Sequence, residues 1–265
     1  MTFITDQTGN SLQLDSIPQR IISLVPSQTE LLYSLGLNDE VVGITRFCIH
    51  PQIWHQGKTR IGGTKDPDIL KIISLKPDLV IANKEENIRE HVEEISKYVP
   101  VYISDVYNLP TAIEMIGALG EITGRPEAAL EMTRLITERF SQLIPVNYMP
   151  ATAYLIWKDP WMAAGGDTFI SDMMERCGFM NIYKATSRYP EITIQELKEK
   201  QCRLLLLSSE PYPFRQKHLE ALQAELPETR ILLVDGSYFS WYGSRLLEAP
   251  AYFSLYSRQN VYPVL

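Results

Sequence analysis

The chain lacks most of the features that would give it a ready label. Of its 265 residues only three are cysteine (Cys48, Cys177 and Cys202), unpaired in spacing, so no disulfide framework is encoded. Three lone thiols fit a reducing compartment. Only four residues are histidine, which leaves little material for a dedicated metal centre. Basic residues (25) are outnumbered by acidic ones (32), giving a net charge of −7. Binding a phosphate backbone needs a basic face, so this balance argues against nucleic acid as the main partner. No apolar run approaches the roughly 20 residues of a membrane span. There is no heptad, repeat or low-complexity tract, and no Walker A, G-x-G-x-x-G or G-x-S-x-G motif. Met1–Asn10 has no basic start, apolar stretch or small-residue cleavage site. Read as it stands, that start predicts a cytosolic protein, or one from which a leader has been removed.

What is present is ordinary globular material, 45% hydrophobic and 22% charged, enough to build a core without staples. Strand and helix patterns alternate in the first half. Strands are expected at Ile21–Val25, Val41–Ile44, Leu79–Ala82 and Val101–Ile103. Helices are expected from the capping box Ser27-x-x-Glu30 to Gly36, from Asp66-Pro67 with Ile69, Leu70, Ile72 and Ile73 buried, over Glu86–Tyr98, and over Leu109–Thr123. Arg125–Ile144 reads as one long helix starting at Pro126. The alternation then restarts. Strands fall at Ala153–Trp157, Leu204–Leu207 and Ile231–Val234, a helix capped by Asp167 runs to Arg176, and Thr193-x-x-Glu196 forms a second capping box. A final helical segment from about Ser244 should break at Pro250. The expected fold is α/β: an N-terminal lobe over 1–124, a connecting helix over 125–145 and a C-terminal lobe over 146–265. Both lobes carry parallel sheets, with a ligand cleft between them.

In parallel sheets ligands sit beyond the carboxyl ends of the strands. The loops there are rich in rings: Phe47, Trp54, Trp161, Tyr212, Phe214, Tyr238, Phe239, Trp241 and Tyr242, with Trp157 ending its strand. Such rings suit a large, flat or apolar-faced ligand, although about half are expected to plug the lobe ends as core. The Phe239–Tyr242 run is the least easily read as core. Gly62-Gly63-Thr64 reads as a tight turn or an anion cradle. Cys48-x-His50 with His55 reads either as a packed cysteine beside a hydrogen-bonded histidine or as a fragment of a metal site. His50 could serve as an axial ligand to a bound metal complex. Lys84-Glu85-Glu86 is a solvated helix start or a site edge. Glu210 follows a strand on the second lobe's rim, and Arg245 could pair with a ligand carboxylate or phosphate. No nucleophile–base–orienter set can be assembled.

Five segments carry a resemblance over nearly the whole chain: RIISLVPSQTELLYSLGL (Arg20–Leu37), IGGTKDPDILKIISLKPDLVIA (Ile61–Ala82), the long helix, AGGDTFISDMMERCGFMNIY (Ala164–Tyr183) and YPEITIQEL (Tyr189–Leu197). Together they resemble the periplasmic-binding-protein-like, helical-backbone metal receptor family. Its members are the substrate-binding proteins of vitamin B12, iron-siderophore and haem ABC importers, and the vitamin B12-binding type is the most similar. The resemblance implies a monomeric, non-enzymatic binder with no intrinsic cofactor, holding a metal chelate (cobalamin, haem or a ferric siderophore) in the cell envelope for an importer permease. It implies ligand contacts near Ser27, Phe47, His50, Thr64, Lys84, Trp161, Phe239 and Trp241, to which the residue reading adds Arg245. Permease docking is implied at Asp68, beside Leu70 where the family carries an acid, and at Glu210. Two alternatives share the fold: a leaderless cytosolic carrier or sensor without a permease, and an enzyme acting on such a ligand through Cys48, His50 or Lys84.

Overall fold

The computed structural model describes residues 2–144 and 149–258. The chain divides into two compact units. The first takes in the chain up to Val106, Pro110–Leu135 and Tyr242–Ser244; the second takes in Tyr107–Leu109, Ile136–Trp241 and the chain from Arg245 onward. The expected lobe boundary at 145/146 lies outside the described residues.

The first unit opens with an antiparallel hairpin, β1 (Thr2–Thr5) and β2 (Ser11–Leu14). There follow β3 (Ile21–Ser23), α1 (Pro26–Ser34), β4 (Val41–Ile44), α2 (Gln52–Gly57), β5 (Thr59–Arg60), α3 (Ile69–Ser74), β6 (Leu79–Asn83), α4 (Arg89–Ser96), β7 (Val101–Ser104) and α5 (Leu109–Ile122). The sheet is parallel, in the order β5-β4-β3-β6-β7. All five residues of β6 are buried, the apolar run Leu79–Ala82 and the Asn83 that ends it, as expected of a strand in a parallel sheet. The long helix, α6 (Pro126–Ser141), starts at its proline and passes from the first unit to the second after Leu135.

Several helix starts differ from the sequence reading, each for a local reason. In α1 the N-cap is Val25 and Pro26 occupies the first helical position, so Ser27 and Glu30 form no capping box. In α3 the cap is Asp68, whose side chain accepts from the Lys71 amide at 3.0 Å, while Pro67 is drawn into a bridge with Gly62. That helix has only six residues, so Ile72 alone is fully buried and Leu70 is 81% exposed.

The second unit contains β8 (Ala151–Trp157), β9 (Met162–Ala163), α7 (Phe169–Arg176), β10 (Met180–Asn181), α8 (Ile194–Glu199), β11 (Leu204–Ser208), α9 (Gln216–Glu225), β12 (Arg230–Val234), α10 (Ser237–Ser240), a 3₁₀ turn (Ser244–Leu247) and α11 (Ala249–Arg258). The path β10-β8-β11-β12 is parallel, and β9 pairs antiparallel with the end of β8. The Thr193–Glu196 capping box forms, with bonds of 2.6 and 3.1 Å. The cap of α7 is Thr168 rather than Asp167, because the Asp167 carboxylate accepts from the Arg188 amide. Pro250 sits in the first turn of α11, so the break precedes it. The free cysteines, Cys48, Cys177 and Cys202, are all buried.

The segment 184–188 lies on Gly165 and Gly166, whose amides donate to the carbonyls of Arg188 and Thr186 at 2.7 Å each. A Cβ on Gly166 would meet the Lys184 carbonyl oxygen. Gly166→Ala should therefore destabilise the protein by about 1–3 kcal/mol, the usual cost of overpacking against something that cannot move aside. Urea unfolding of the two proteins checks this.

Candidate functional site at the carboxyl-edge loops

In the first unit the strand order reverses at β3, with β4 on one side and β6 on the other, so the loops leaving their carboxyl ends bound the natural ligand position. Two buried amides build this rim. The Asn83 side-chain oxygen accepts from the amides of Glu85 and Glu86 at 2.9 and 3.0 Å. The Asn87 side chain accepts from the Asn83 amide at 2.8 Å and donates to the Thr64 carbonyl at 3.0 Å. The turn after β6 and the Thr64 turn are thus one hydrogen-bonded unit. It delays α4 to Arg89, three residues later than the sequence suggests.

On this rim Phe47 is 50% exposed, His50 and Lys84 are exposed and Thr64 is half-buried. Lys84 pairs with Asp105 at 2.5 Å. Ser27 is buried in the first turn of α1. Glu86 accepts from the Tyr242 hydroxyl at 2.6 Å. Burial, reinforced by the charge of Glu86, holds that phenol well above its ordinary range.

Two expectations resolve toward their plainer form. Gly62-Gly63-Thr64 is a turn: the Gly63 amide donates to the Asp66 carbonyl at 3.2 Å, and the Arg46–Asp66 ion pair lies over Gly63, where an anion would have to sit. Cys48 is a packed thiol meeting the hydroxyls of Thr29 and Thr45 at 3.1 Å each, and burial pushes its pKa up. His55 Nδ1 lies 3.1 Å from the Cys48 carbonyl. No group of three or more His, Cys, Asp or Glu side chains among the described residues could hold a metal ion. Cys48, His50 and His55 do not form such a group.

In the second unit the loops after β8 and β11 carry an aromatic cluster. Trp161 stacks on Phe214 (centroids 6.1 Å apart, planes 10° apart), Tyr212 packs on Phe214 at 4.8 Å, and Trp157 meets Tyr212 edge-on at 5.7 Å. Trp157 is 41% exposed, Trp161 and Tyr212 are half-buried, and Phe214 is buried behind them.

The Phe239–Tyr242 run, by contrast, is core: Phe239, Trp241 and Tyr242 are all buried. Phe239 lies in the short helix α10, whereas Trp241, its C-cap, is already in extended backbone, so the rings leave the chain in different directions. Phe239 turns inward onto Tyr154 and Phe253 (5.2 and 5.0 Å), while Tyr238 stacks on Tyr252 at 4.3 Å. Phe239 is fully buried, so it offers no surface for direct ligand contact. Glu210 also departs from expectation. Its Oε1 accepts from Ser240 Oγ and Trp241 Nε1, both at 2.7 Å, and burial raises its pKa. A carboxylate so engaged is not an exposed docking acid. Asp68 is exposed. Arg245 lies over the rings of Trp241 and Tyr238, at 5.3 and 5.8 Å.

Two α/β units with parallel sheets and aromatic carboxyl-edge loops define a ligand-binding protein of the two-lobed type. Residues 21–229 match the model of the periplasmic binding protein family, and the chain belongs to that family. The vitamin B12-binding protein of Vibrio campbellii is 28% identical over 201 residues, covering 72% of this chain and 70% of that protein. That of Photorhabdus laumondii is 26% identical over 207 residues, covering 75% and 74%. Among solved structures, the periplasmic vitamin B12 binding protein BtuF of Vibrio cholerae aligns with a TM-score of 0.73 at 22% identity, covering 92% of this chain and 99% of that one. The periplasmic heme-binding protein RhuT from Roseiflexus sp. RS-1 aligns at 0.78 and 20%, with the same coverage. At these identities the structures establish the fold. The family and these relatives are binding proteins, not enzymes.

Replacing Glu210 separates its two roles. Glu210→Ala removes the acceptor of the Trp241 indole, while the Ser240 hydroxyl keeps the Gly236 carbonyl at 2.9 Å, and should cost about 1–3 kcal/mol. Glu210→Gln keeps an acceptor and removes a charge that is unfavourable when buried. A raised carboxyl pKa means that the folded state binds the proton more tightly than the unfolded one. Wild type therefore loses this contribution as pH rises from the ordinary carboxylate range through the folded-state value. Glu210→Gln should gain stability relative to wild type over that interval, as read by thermal unfolding between pH 4 and 8.

Proposed function

We propose that this protein is the substrate-binding component of an ABC importer and that it carries a metal chelate, a corrinoid before a haem or a ferric siderophore. The observation that carries this reading is the family match over residues 21–229 together with the exposed rings at the carboxyl edges of both sheets. The choice of a corrinoid first follows the relatives, which are named vitamin B12-binding proteins. A chelate of this kind presents a broad, partly apolar face with polar groups at its margin. In the first unit Phe47 offers area to such a face, and Thr64 and Lys84 offer polar groups to a margin; in the second unit Trp161 offers area and Arg245 a charge. On this reading His50, exposed on the loop after β4, is the axial ligand to the chelated metal. Asp68, beside the exposed Leu70, is the first unit's docking acid for a permease, and the compartment is the periplasm. No helix among the described residues is long and apolar enough to cross a membrane, so on this reading the importer's span belongs to a partner.

Tryptophan fluorescence during titration with cobalamin, haem and a ferric siderophore panel tests the reading. One compound should quench with saturation at one equivalent. Trp161→Ala should weaken that compound's binding about tenfold or more, the usual effect of removing a central aromatic anchor. No saturable response to any member of the panel would reject the chelate reading.

A further inference from the structure

A cavity of about 910 Å³ lies wholly within the first unit, away from the rings discussed above. On one side it is bounded by Ser11, Leu12 and Gln13 of β2, on another by Val101 and Ile103 of β7, and α4 closes it with Val92 and Ser96. Both strands are edges. β2 pairs only with β1, and β7 ends its five-stranded sheet.

The hydrogen-bond pattern shows which backbone groups face the gap. Val80 N–H donates to the Pro100 carbonyl and Lys84 N–H to the Ser104 carbonyl, so Pro100, Tyr102 and Ser104 face β6. Val101, Ile103 and Asp105 must face outward, because a parallel strand alternates the side to which its peptide groups point. Two of these three are already capped. The Ile103 amide donates to Asp6 Oδ2 at 3.3 Å, its carbonyl accepts from the Gln7 amide at 3.2 Å, and the Asp105 amide donates to Gln7 Oε1 at 3.0 Å. The N–H and C=O of Val101 have no partner among the described residues, and the outer edge of β2 has none either. Natural sheets cover or blunt such edges. Here the Asp6–Gln7 turn blunts one end of β7 and leaves the other open onto a cavity.

The lining adds a chemical preference. Leu12, Val92, Val99 and Val101 are buried and form an apolar floor. Arg89 and Glu93 neutralise one another at 2.7 Å, and Lys84 is paired with Asp105. A charged ligand therefore finds no complement here, whereas a ligand with a row of amide donors and acceptors does.

We propose that the cavity is a docking slot for an extended, uncharged peptide segment of a partner protein. The segment adds as a strand beside β7, exchanging backbone hydrogen bonds with Val101 and setting small apolar side chains on the floor at every second position. Asn83, Lys84 and Asn87 of the rim also line the cavity, but the proposal uses none of them and does not need the chelate reading.

The test uses a capped synthetic hexapeptide of alternating threonine and valine, and the same peptide N-methylated at every second residue. In ¹⁵N NMR of the full chain the first peptide should saturably shift the amides of Val101 and of Ser11–Gln13, and should slow hydrogen exchange at Val101 about tenfold or more. The N-methylated peptide, which cannot complete the ladder, should do neither. Ser96→Trp on the exposed end of α4, and separately Gln13→Trp on β2, should fill the slot and abolish the shifts while leaving chelate titrations unchanged. Equal binding of the two peptides, or no response at Val101 up to the solubility limit, overturns the proposal.

Discussion

A strand buried on both faces has no side chain to spare for chemistry. β6 and β11 are buried at every position, and β11 reads Leu-Leu-Leu-Leu-Ser. Apart from Asn83 and Ser208 at their carboxyl ends, their contribution is apolar area, worth roughly 25 cal/mol for each Å² removed from water. All recognition is therefore displaced to the segments that leave their carboxyl ends. Loops are ordinarily the most mobile parts of a fold, so the same constraint that moves the chemistry outward requires something to hold it still.

Buried amides do that holding. Asn83 and Asn87 tie the turn after β6 to the Thr64 carbonyl in the first unit. Asn181 does the equivalent in the second: it donates to the Ala164 carbonyl and to Ser171 Oγ at 3.0 Å each, and accepts from the Tyr183 amide at 2.9 Å. An amide side chain offers donor and acceptor at once without the desolvation cost of a charge. Carboxylates take a second task, gripping the neighbouring rings Trp241 and Tyr242. Glu210 accepts from Trp241 and Glu86 from Tyr242, and each bond lies within one unit. Adjacent residues of the chain are thereby fixed in different units, a consequence of the chain leaving the second unit for the first at Tyr242.

The alternation of strands and helices, the start of α6 at Pro126 and the Thr193–Glu196 cap were legible in the sequence because each rests on contacts between near neighbours. The failures share a different cause. Ser27 looks like a helix cap, yet Pro26 already occupies the first helical position. Asp167 looks like a cap, yet a loop 21 residues away claims its carboxylate. Glu210 looks like a rim acid until Trp241, 31 residues on, is seen to need an acceptor. The hairpin β1–β2 escapes notice because its four-residue strands are too short to establish a period. The role of Asn83 and Asn87 has no sequence signature, since asparagine after a strand usually signals a turn and nothing more.

The aromatic residues show how the fold divides rings between support and contact. Phe239 and Phe214 are buried and carry others: Phe239 lies against Tyr154 and Phe253, and Phe214 lies under Trp161. Trp161 lies parallel to Phe214 with Lys158 over its ring at 5.5 Å, so its orientation is set before any ligand arrives. A ring held this way gives up little rotamer freedom on binding, and the contact it makes is not offset by an ordering cost. That distinguishes a half-buried ring in a packed cluster from an exposed one on a free loop. It also explains why a scaffold whose strands are committed to the core can still present a rigid, largely apolar face at its rim.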